Sequence, residues 1–286
     1  MRTHTAPSRP VGVPGRTLAA LVAVVAGLVV AFVVAPPRLA GGGSADLADQ
    51  DRLGAAFRTS VVEYWRSGDR HYPPALQRVV DYWFRFHLVK GGIAAVLLIL
   101  LVVLAVLLWR ATLRSDGLRT GSRAALVSAA TAVPLLAVFA LAVVMANIQG
   151  AMAPFGSLFP MLMDGPPDAG LAGALAQARQ QLAGSHRTSG YTPPALDAMV
   201  SEFAWYHVAV AVIAVVVVVA LLSLSVGFWR GFARMGPAGR PSRWVLGWFG
   251  VLSALSSLIV VVLIVANIGT AMDPAPALLG LFNGEF

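Results

Sequence analysis

The second half of the chain repeats the first half at a spacing of 120 residues. Between residues 73 and 163, about 26 of 91 positions carry the same residue as the position 120 further along, without a gap. Shared apolar composition alone does not produce that agreement in one register. A tandem repeat predicts an architecture, and polar residues present in both copies indicate where a site should be sought. The shared residues include Pro73-Pro74-Ala75-Leu76 with Pro193-Pro194-Ala195-Leu196, His87 with His207, Trp109-Arg110 with Trp229-Arg230, and Asn147 with Asn267.

The composition is typical of a membrane protein. Hydrophobic residues make up 58% of the sequence and charged residues 12%, a balance far from that of soluble domains. About 20 consecutive apolar residues are needed to cross a bilayer core, and five windows of this kind are present. We therefore predict an all-α, polytopic membrane protein with five transmembrane helices. The windows cover residues 18–35, 91–109, 124–148, 208–229 and 244–268.

The net charge of +8 is distributed according to topology. Eleven arginines, against the single acid Asp116, lie before the first window or in the two short connections. The positive-inside rule then predicts a cytoplasmic N-terminus, with the two long loops and the C-terminus outside a bacterial plasma membrane. Nucleic acid is not an expected partner, because these arginines set orientation and contact anionic lipid. They are Arg2, Arg9, Arg16, Arg110, Arg114, Arg119, Arg123, Arg230, Arg234, Arg240 and Arg243.

Three sections are predicted along the chain. Residues 1–44 comprise a basic N-terminus, an uncleaved signal-anchor helix and a glycine linker. Repeat A follows at 45–166 and repeat B at 167–286, each with an outer loop helix and two transmembrane helices. Each repeat crosses the membrane an even number of times, which predicts parallel hairpins related by an axis along the membrane normal. We expect a four-helix bundle with the anchor helix on its side.

A further apolar segment follows each shared asparagine, at residues 149–163 and 269–283. Prolines interrupt both segments, which makes them too broken to cross the membrane again. They are expected either to fold back as short caps over the bundle or to lie flat at the interface.

The most specific polar constellation is His87, Asn147, His207 and Asn267. Each histidine lies where a span begins on the outer side, and each asparagine lies where the paired span ends there, so all four share one depth. Burying an imidazole or an amide without a partner is costly. One hypothesis is a histidine–asparagine hydrogen bond that staples each hairpin. The alternative is one ligand-binding site on the pseudo-dyad, open to the outside, for a lipid or quinone headgroup.

A metal site is a further alternative for the same place. Two imidazoles from His87 and His207, with thioethers from Met152 and Met272, would suit Cu(I). Against this hypothesis, the sequence has no closely spaced histidine pair and no cysteine. We therefore predict no metal and no cofactor.

The sequence offers little for an enzyme. The carboxylates nearest the membrane, Asp81, Glu202 and Asp273, have no acidic counterpart in the other repeat. No Gly-x-Ser-x-Gly elbow, P-loop or dinucleotide-binding motif is present. We predict a non-enzymatic scaffold or binding protein that presents its outer helical loops to a cell-envelope protein or to membrane lipid. The alternatives are a carrier of a small solute or lipid, and a membrane enzyme acting on an amphiphile.

Overall fold

The computed structural model describes residues 15–114, 120–184, 193–235 and 240–285, which are helical apart from short connections. No strand occurs in these ranges. Of the arginines used to predict orientation, Arg2, Arg9 and Arg119 lie outside them. The α-helices are α1 (Gly15–Ala40), α2 (Gln50–Ser67), α3 (Pro74–Leu113), α4 (Thr120–Met152), α5 (Pro154–Leu158), α6 (Ala169–Gly184), α7 (Pro194–Arg234), α8 (Arg240–Met272) and α9 (Pro274–Asn283), and short 3-10 helices cover Ala45–Ala48 and Phe159–Leu162.

Five helices, α1, α3, α4, α7 and α8, are long and apolar enough to cross a membrane. The prediction of an all-α, multi-pass membrane protein is confirmed at this level. The helices extend beyond the apolar windows, because α3 has 40 residues and α7 has 41. At 1.5 Å per residue each is about 60 Å long, roughly twice the thickness of a hydrocarbon core. Their first turns precede the apolar windows, which begin at residues 91 and 208.

Proline determines where the two longest helices begin. Pro74 and Pro194 occupy the first helical turn of α3 and α7, where a missing backbone N–H costs nothing. Two further prolines, Pro36 and Pro37, do not end α1, which continues beyond its apolar window to Ala40. Arg85 Nε donates to the Ala40 carbonyl at 3.2 Å, so α3 satisfies a carbonyl at the end of α1.

The long helices pair as two hairpins, α3 with α4 and α7 with α8. The hairpins meet through α4 and α7, and α1 packs against the outside of α3. Leu104, Ala130 and Ala137 form part of the buried core of the first hairpin, together with side chains of α1. The second hairpin has a smaller core around Ala214, against which Met145 of α4 packs. Each hairpin is thus tighter internally than the junction between them.

At one end of the hairpins the remaining helices form what we call the cap layer: α2, α5, α6, α9 and the first turns of α3 and α7. Its side chains form one hydrophobic core drawn from both halves of the chain. Phe155 and Phe159 stack edge to face at 4.8 Å, and Phe159 also contacts Phe203 and Phe282. The segments after the two asparagines therefore fold back into this core and do not lie flat at the interface.

Two arginines fix the ends of these returning segments. Arg58 Nε on α2 donates to the Met161 carbonyl at 3.0 Å. Arg179 Nε on α6 donates to the Phe282 carbonyl at 2.8 Å. Both bonds join residues 103 apart, and both satisfy carbonyls that a terminating helix leaves free. The sequence pattern did not indicate this correspondence.

Candidate functional site

A histidine and an asparagine join the two helices of each hairpin. His87 Nδ1 lies 3.1 Å from Asn147 Oδ1, which links α3 to α4. His207 Nδ1 lies 2.8 Å from Asn267 Oδ1, which links α7 to α8. The hydrogen bond expected in each hairpin is therefore present in both.

The asparagine amides determine which imidazole nitrogen carries the proton. Asn147 Nδ2 donates to the Val143 carbonyl and Asn267 Nδ2 donates to the Leu263 carbonyl, each at 2.8 Å. This leaves each Oδ1 facing a histidine, and an amide oxygen can only accept. Each Nδ1 therefore donates, and each Nε2 of the neutral ring keeps a free lone pair. Both Nε2 atoms are buried, without a hydrogen-bond partner among the described residues.

The two imidazoles differ in what covers them. A Cβ atom on Gly150 would lie 2.6 Å from the His87 ring, so that ring packs directly on the glycine backbone. The aromatic contact is common to both: Trp83 meets the His87 ring edge-on at 4.6 Å, and its counterpart Phe203 meets the His207 ring edge-on at 4.7 Å. The position 120 residues after Gly150 is Thr270, whose hydroxyl donates to the Ala266 carbonyl. The close contact with a glycine backbone therefore belongs to the first imidazole.

A cavity of about 350 Å³ lies beside the second pair, between α4, α7 and α8. His207 and Asn267 line it, and Gln149 and Tyr206 add polar groups to an otherwise apolar wall. Gln149 Nε2 donates to the Tyr206 backbone carbonyl at 3.4 Å. His87 and Asn147 do not line this cavity. The structure therefore brings the candidate residues together in two separate pairs, and the second pair borders this cavity.

The methionines considered as metal ligands lie near the ends of α4 and α8. Met152 is 38% exposed and Met272 is 81% exposed. Within the described ranges, no three histidine or carboxylate side chains are close enough together to hold a metal ion.

The three carboxylates nearest the membrane have separate surroundings. Asp81 accepts from Gln77 Nε2 at 2.8 Å on the exposed side of α3. Asp273 precedes α9 without a side-chain capping bond. Glu202 is half-buried beside Tyr72 in the cap layer.

The cap layer contains a polar cluster that the sequence did not reveal. Tyr64 is fully buried, and its hydroxyl donates to the carbonyls of Arg70 and Ala195 at 3.3 and 3.4 Å. Arg70 forms an ion pair with Asp197 on α7. Burial raises the pKa of Tyr64 to about 12. Together these contacts tie the loop before α3 to the first turn of α7.

Tyr72 extends this cluster toward Glu202. Burial raises the pKa of Tyr72, and the neighbouring Glu202 carboxylate raises it further. In the sequence, the one indication of this cluster was Glu202, an acidic residue directly before the apolar residue Phe203.

Comparison of the chain with protein-family models, with curated proteins and with solved structures found no match. Among the candidate residues, His207 and Asn267 line a cavity, and the buried His207 Nε2 has no hydrogen-bond partner among the described residues.

Proposed function

We propose that the chain is a non-enzymatic, multi-pass plasma-membrane protein of bacterial type, a scaffold whose cap layer binds a cell-envelope protein or lipid outside the cell. The observation that carries this proposal is the common hydrophobic core of the cap layer. Loops that only connected spans would not require a core built from both halves. A single core makes the layer one rigid surface, and a rigid surface suits recognition because little ordering cost is paid on binding.

Helix boundaries support the proposal that the body consists of two tandem, parallel hairpin repeats. α3 and α7 begin at Pro74 and Pro194, and α4 and α8 end at Met152 and Met272, in both cases 120 residues apart. The histidine–asparagine bonds follow the same spacing. Repeats A (45–166) and B (167–286) would each contribute a cap-layer helix and one hairpin.

Charge supports the proposed orientation. Arg110 and Arg230 lie near the ends of α3 and α7 that are remote from the cap layer. Such arginines favour the cytoplasmic side, which would place the cap layer outside.

The cap layer offers polar clefts to a partner. One, of about 530 Å³, is lined by Thr59, Glu63, Arg66 and Asp168 among others, between α2 and the start of α6. Its side chains carry charges of both signs, which favour a specific orientation of a polar partner over simple adhesion.

Orientation can be tested with single cysteines, because the natural chain has none. We expect a membrane-impermeant maleimide to label Thr59→Cys in intact cells and Ser122→Cys only after permeabilisation. Both positions are exposed in the structure. The opposite pattern would overturn the proposed topology.

Partner binding can be tested with a photo-crosslinking residue at Thr59. The matched control is Val216, a 67% exposed side chain on the apolar part of α7. A discrete adduct at Thr59 that is missing at Val216 would support recognition by the cap layer. Identical adducts at the two positions, or adducts at Val216 alone, would contradict it.

The His207 cavity favours a second candidate function, the binding or carriage of an amphiphile. A hydroxyl or amide N–H on a headgroup could donate to Nε2, while the apolar wall contacts the tail. The wild-type protein and the His87→Ala variant should then retain the same lipid after purification, and His207→Ala should lose it. Equal retention by all three proteins would exclude this candidate.

A further inference from the structure

A second cavity, of about 490 Å³, lies between α7 and α8 at the end of the hairpin remote from the cap layer. Its wall is mostly apolar, with three tryptophans, one phenylalanine and one arginine. The position is the border of the apolar part of both helices, where lipid headgroups meet the hydrocarbon. The lining residues are Trp229, Phe232, Arg243, Trp244, Gly247, Trp248 and Val251.

Arg243 is held in this cavity without an acidic partner among the residues that the structure describes. Its guanidinium lies over the Phe232 ring at 4.6 Å from the centroid, which fixes the side chain through a cation–π contact. Its Nε is buried and has no hydrogen-bond partner in the part of the chain that the structure describes. A buried donor left without a partner is costly, so an acceptor from outside the chain would stabilise it.

Trp248 supplies a second unsatisfied donor. Its indole Nε1 is also buried and lacks a partner within the described residues. Trp229 forms another wall of the cavity. Its indole packs closely on Gly250, where an added Cβ atom would lie 3.0 Å from the ring. The cavity thus combines one cation and one neutral N–H donor with rigid aromatic walls.

These features match an anionic phospholipid. Phosphate oxygens accept hydrogen bonds and carry a negative charge, which Arg243 does not meet among the described residues. The apolar walls suit the start of an acyl chain, which a free phosphate ion would leave unused. Arg230 and Arg234, near the end of α7, add positive charge at the same membrane border. We propose that this cavity is a binding site for one anionic phospholipid headgroup.

The first hairpin provides an internal control. At the position 120 residues before Arg243, the first hairpin also has an arginine, Arg123. Its residues at the positions of Phe232, Trp244 and Trp248 are Thr112, Ala124 and Ser128. Both hairpins therefore carry the arginine and one tryptophan, Trp109 or Trp229, and Trp109 Nε1 is also a buried donor without a partner among the described residues. The second hairpin alone adds the aromatic side chains of Phe232, Trp244 and Trp248 around its arginine. Non-specific attraction to acidic lipid would involve both arginines, whereas a built site would involve Arg243 alone.

The test uses the full chain in nanodiscs that contain equal amounts of phosphatidylglycerol and phosphatidylcholine, with native mass spectrometry of the released protein. Wild-type protein should retain phosphatidylglycerol in preference to phosphatidylcholine. Arg243→Ala should lower its occupancy about fivefold, from the roughly 1 kcal/mol that one arginine contributes at an anionic surface. Trp248→Phe keeps the ring but removes the N–H, and should lower occupancy by a smaller factor.

Arg123→Ala should leave retention unchanged. Equal loss in Arg123→Ala and Arg243→Ala would show a diffuse charge effect and overturn the proposal. Equal retention of the two lipids by the wild-type protein, or retention of neither, would overturn it as well. Circular dichroism of each variant in phosphatidylcholine alone confirms that the helices remain folded.

Discussion

Gly150 packs directly on the imidazole of His87, so that a Cβ atom at residue 150 would lie 2.6–2.7 Å from three ring atoms. This contact brings α4 against α3 at the level of the histidine–asparagine bond. Asn147, one turn earlier on α4, is only 6% exposed. The glycine therefore lets α4 approach the imidazole of His87 closely in the first hairpin; the matching residue of the second hairpin is Thr270.

Gly150→Ala should destabilise the protein. The added methyl group cannot fit unless the imidazole moves, and its movement strains the bond to Asn147. Overpacking of this kind costs about 1–3 kcal/mol, which thermal unfolding in detergent would detect as a lower midpoint. Gly269→Ala is the matched control, because a Cβ there meets nothing within 4 Å. It should be neutral or stabilising, by up to about 1 kcal/mol from helix propensity. An unchanged midpoint for Gly150→Ala would contradict the close contact.

Each histidine–asparagine bond should show a measurable coupling energy. In a double-mutant cycle on His87→Ala and Asn147→Ala we expect about 0.6–1.7 kcal/mol, the range found for polar pairs in membranes. The cycle on His207 and Asn267 should give a smaller value, because that pair borders an open cavity and water can replace part of the bond. Additive single effects in the first hairpin would exclude the staple.

The cap layer should unfold as one unit. Phe159 is fully buried and contacts rings from both halves of the chain. Phe159→Ala should cost about 3–5 kcal/mol, and hydrogen exchange should accelerate together in α2, α6 and α9. Phe139→Ala is the control, since that ring is 68% exposed on the apolar part of α4. Faster exchange confined to α2 would show instead that the two halves of the layer are independent.

Stability of the cap layer should fall at alkaline pH. Burial raises the pKa of Tyr64 to about 12, above its ordinary value of 10.0. The unfolded chain therefore loses this proton first as the pH rises. The contribution of Tyr64 to the free energy of unfolding is complete below pH 10 and is lost as the pH approaches 12.

In the Tyr64→Phe variant the thermal midpoint should fall less between about pH 9 and about pH 11.5 than in the wild type. The part of the fall that remains comes from Tyr72, whose pKa is also raised. An identical pH profile for the variant and the wild type would refute the assignment to Tyr64.

Several elements were predictable because they depend on local chemistry. The apolar windows marked all five long helices, since only a helix satisfies every backbone group within hydrocarbon. Pro74 and Pro194 marked two helix starts, since a helix accommodates proline most easily in its first turn. The apolar window at residues 18–35 marked α1 but not its end at Ala40, whose carbonyl accepts a hydrogen bond from Arg85 on α3.

The candidate site was predictable only in part. Shared depth and the cost of an unpaired polar group were enough to pair His87 with Asn147 and His207 with Asn267. The cavity beside His207 and Asn267 could not be predicted, because it depends on how α4 packs against α7. It also depends on one difference between the repeats, Gly150 in the first and Thr270 in the second.

Sequence patterns alone predicted the helical class and the five helices long and apolar enough to cross a membrane, because hydrophobicity and proline geometry act along the chain. They also predicted, as one of two alternatives, that each histidine bonds to an asparagine. Long-range packing established the rest: the returning segments complete a common cap layer, Arg58 and Arg179 bind their carbonyl ends, and His207 borders a cavity while His87 packs on Gly150. These features join residues far apart in the chain, and their energies depend on packing distances that no local pattern encodes.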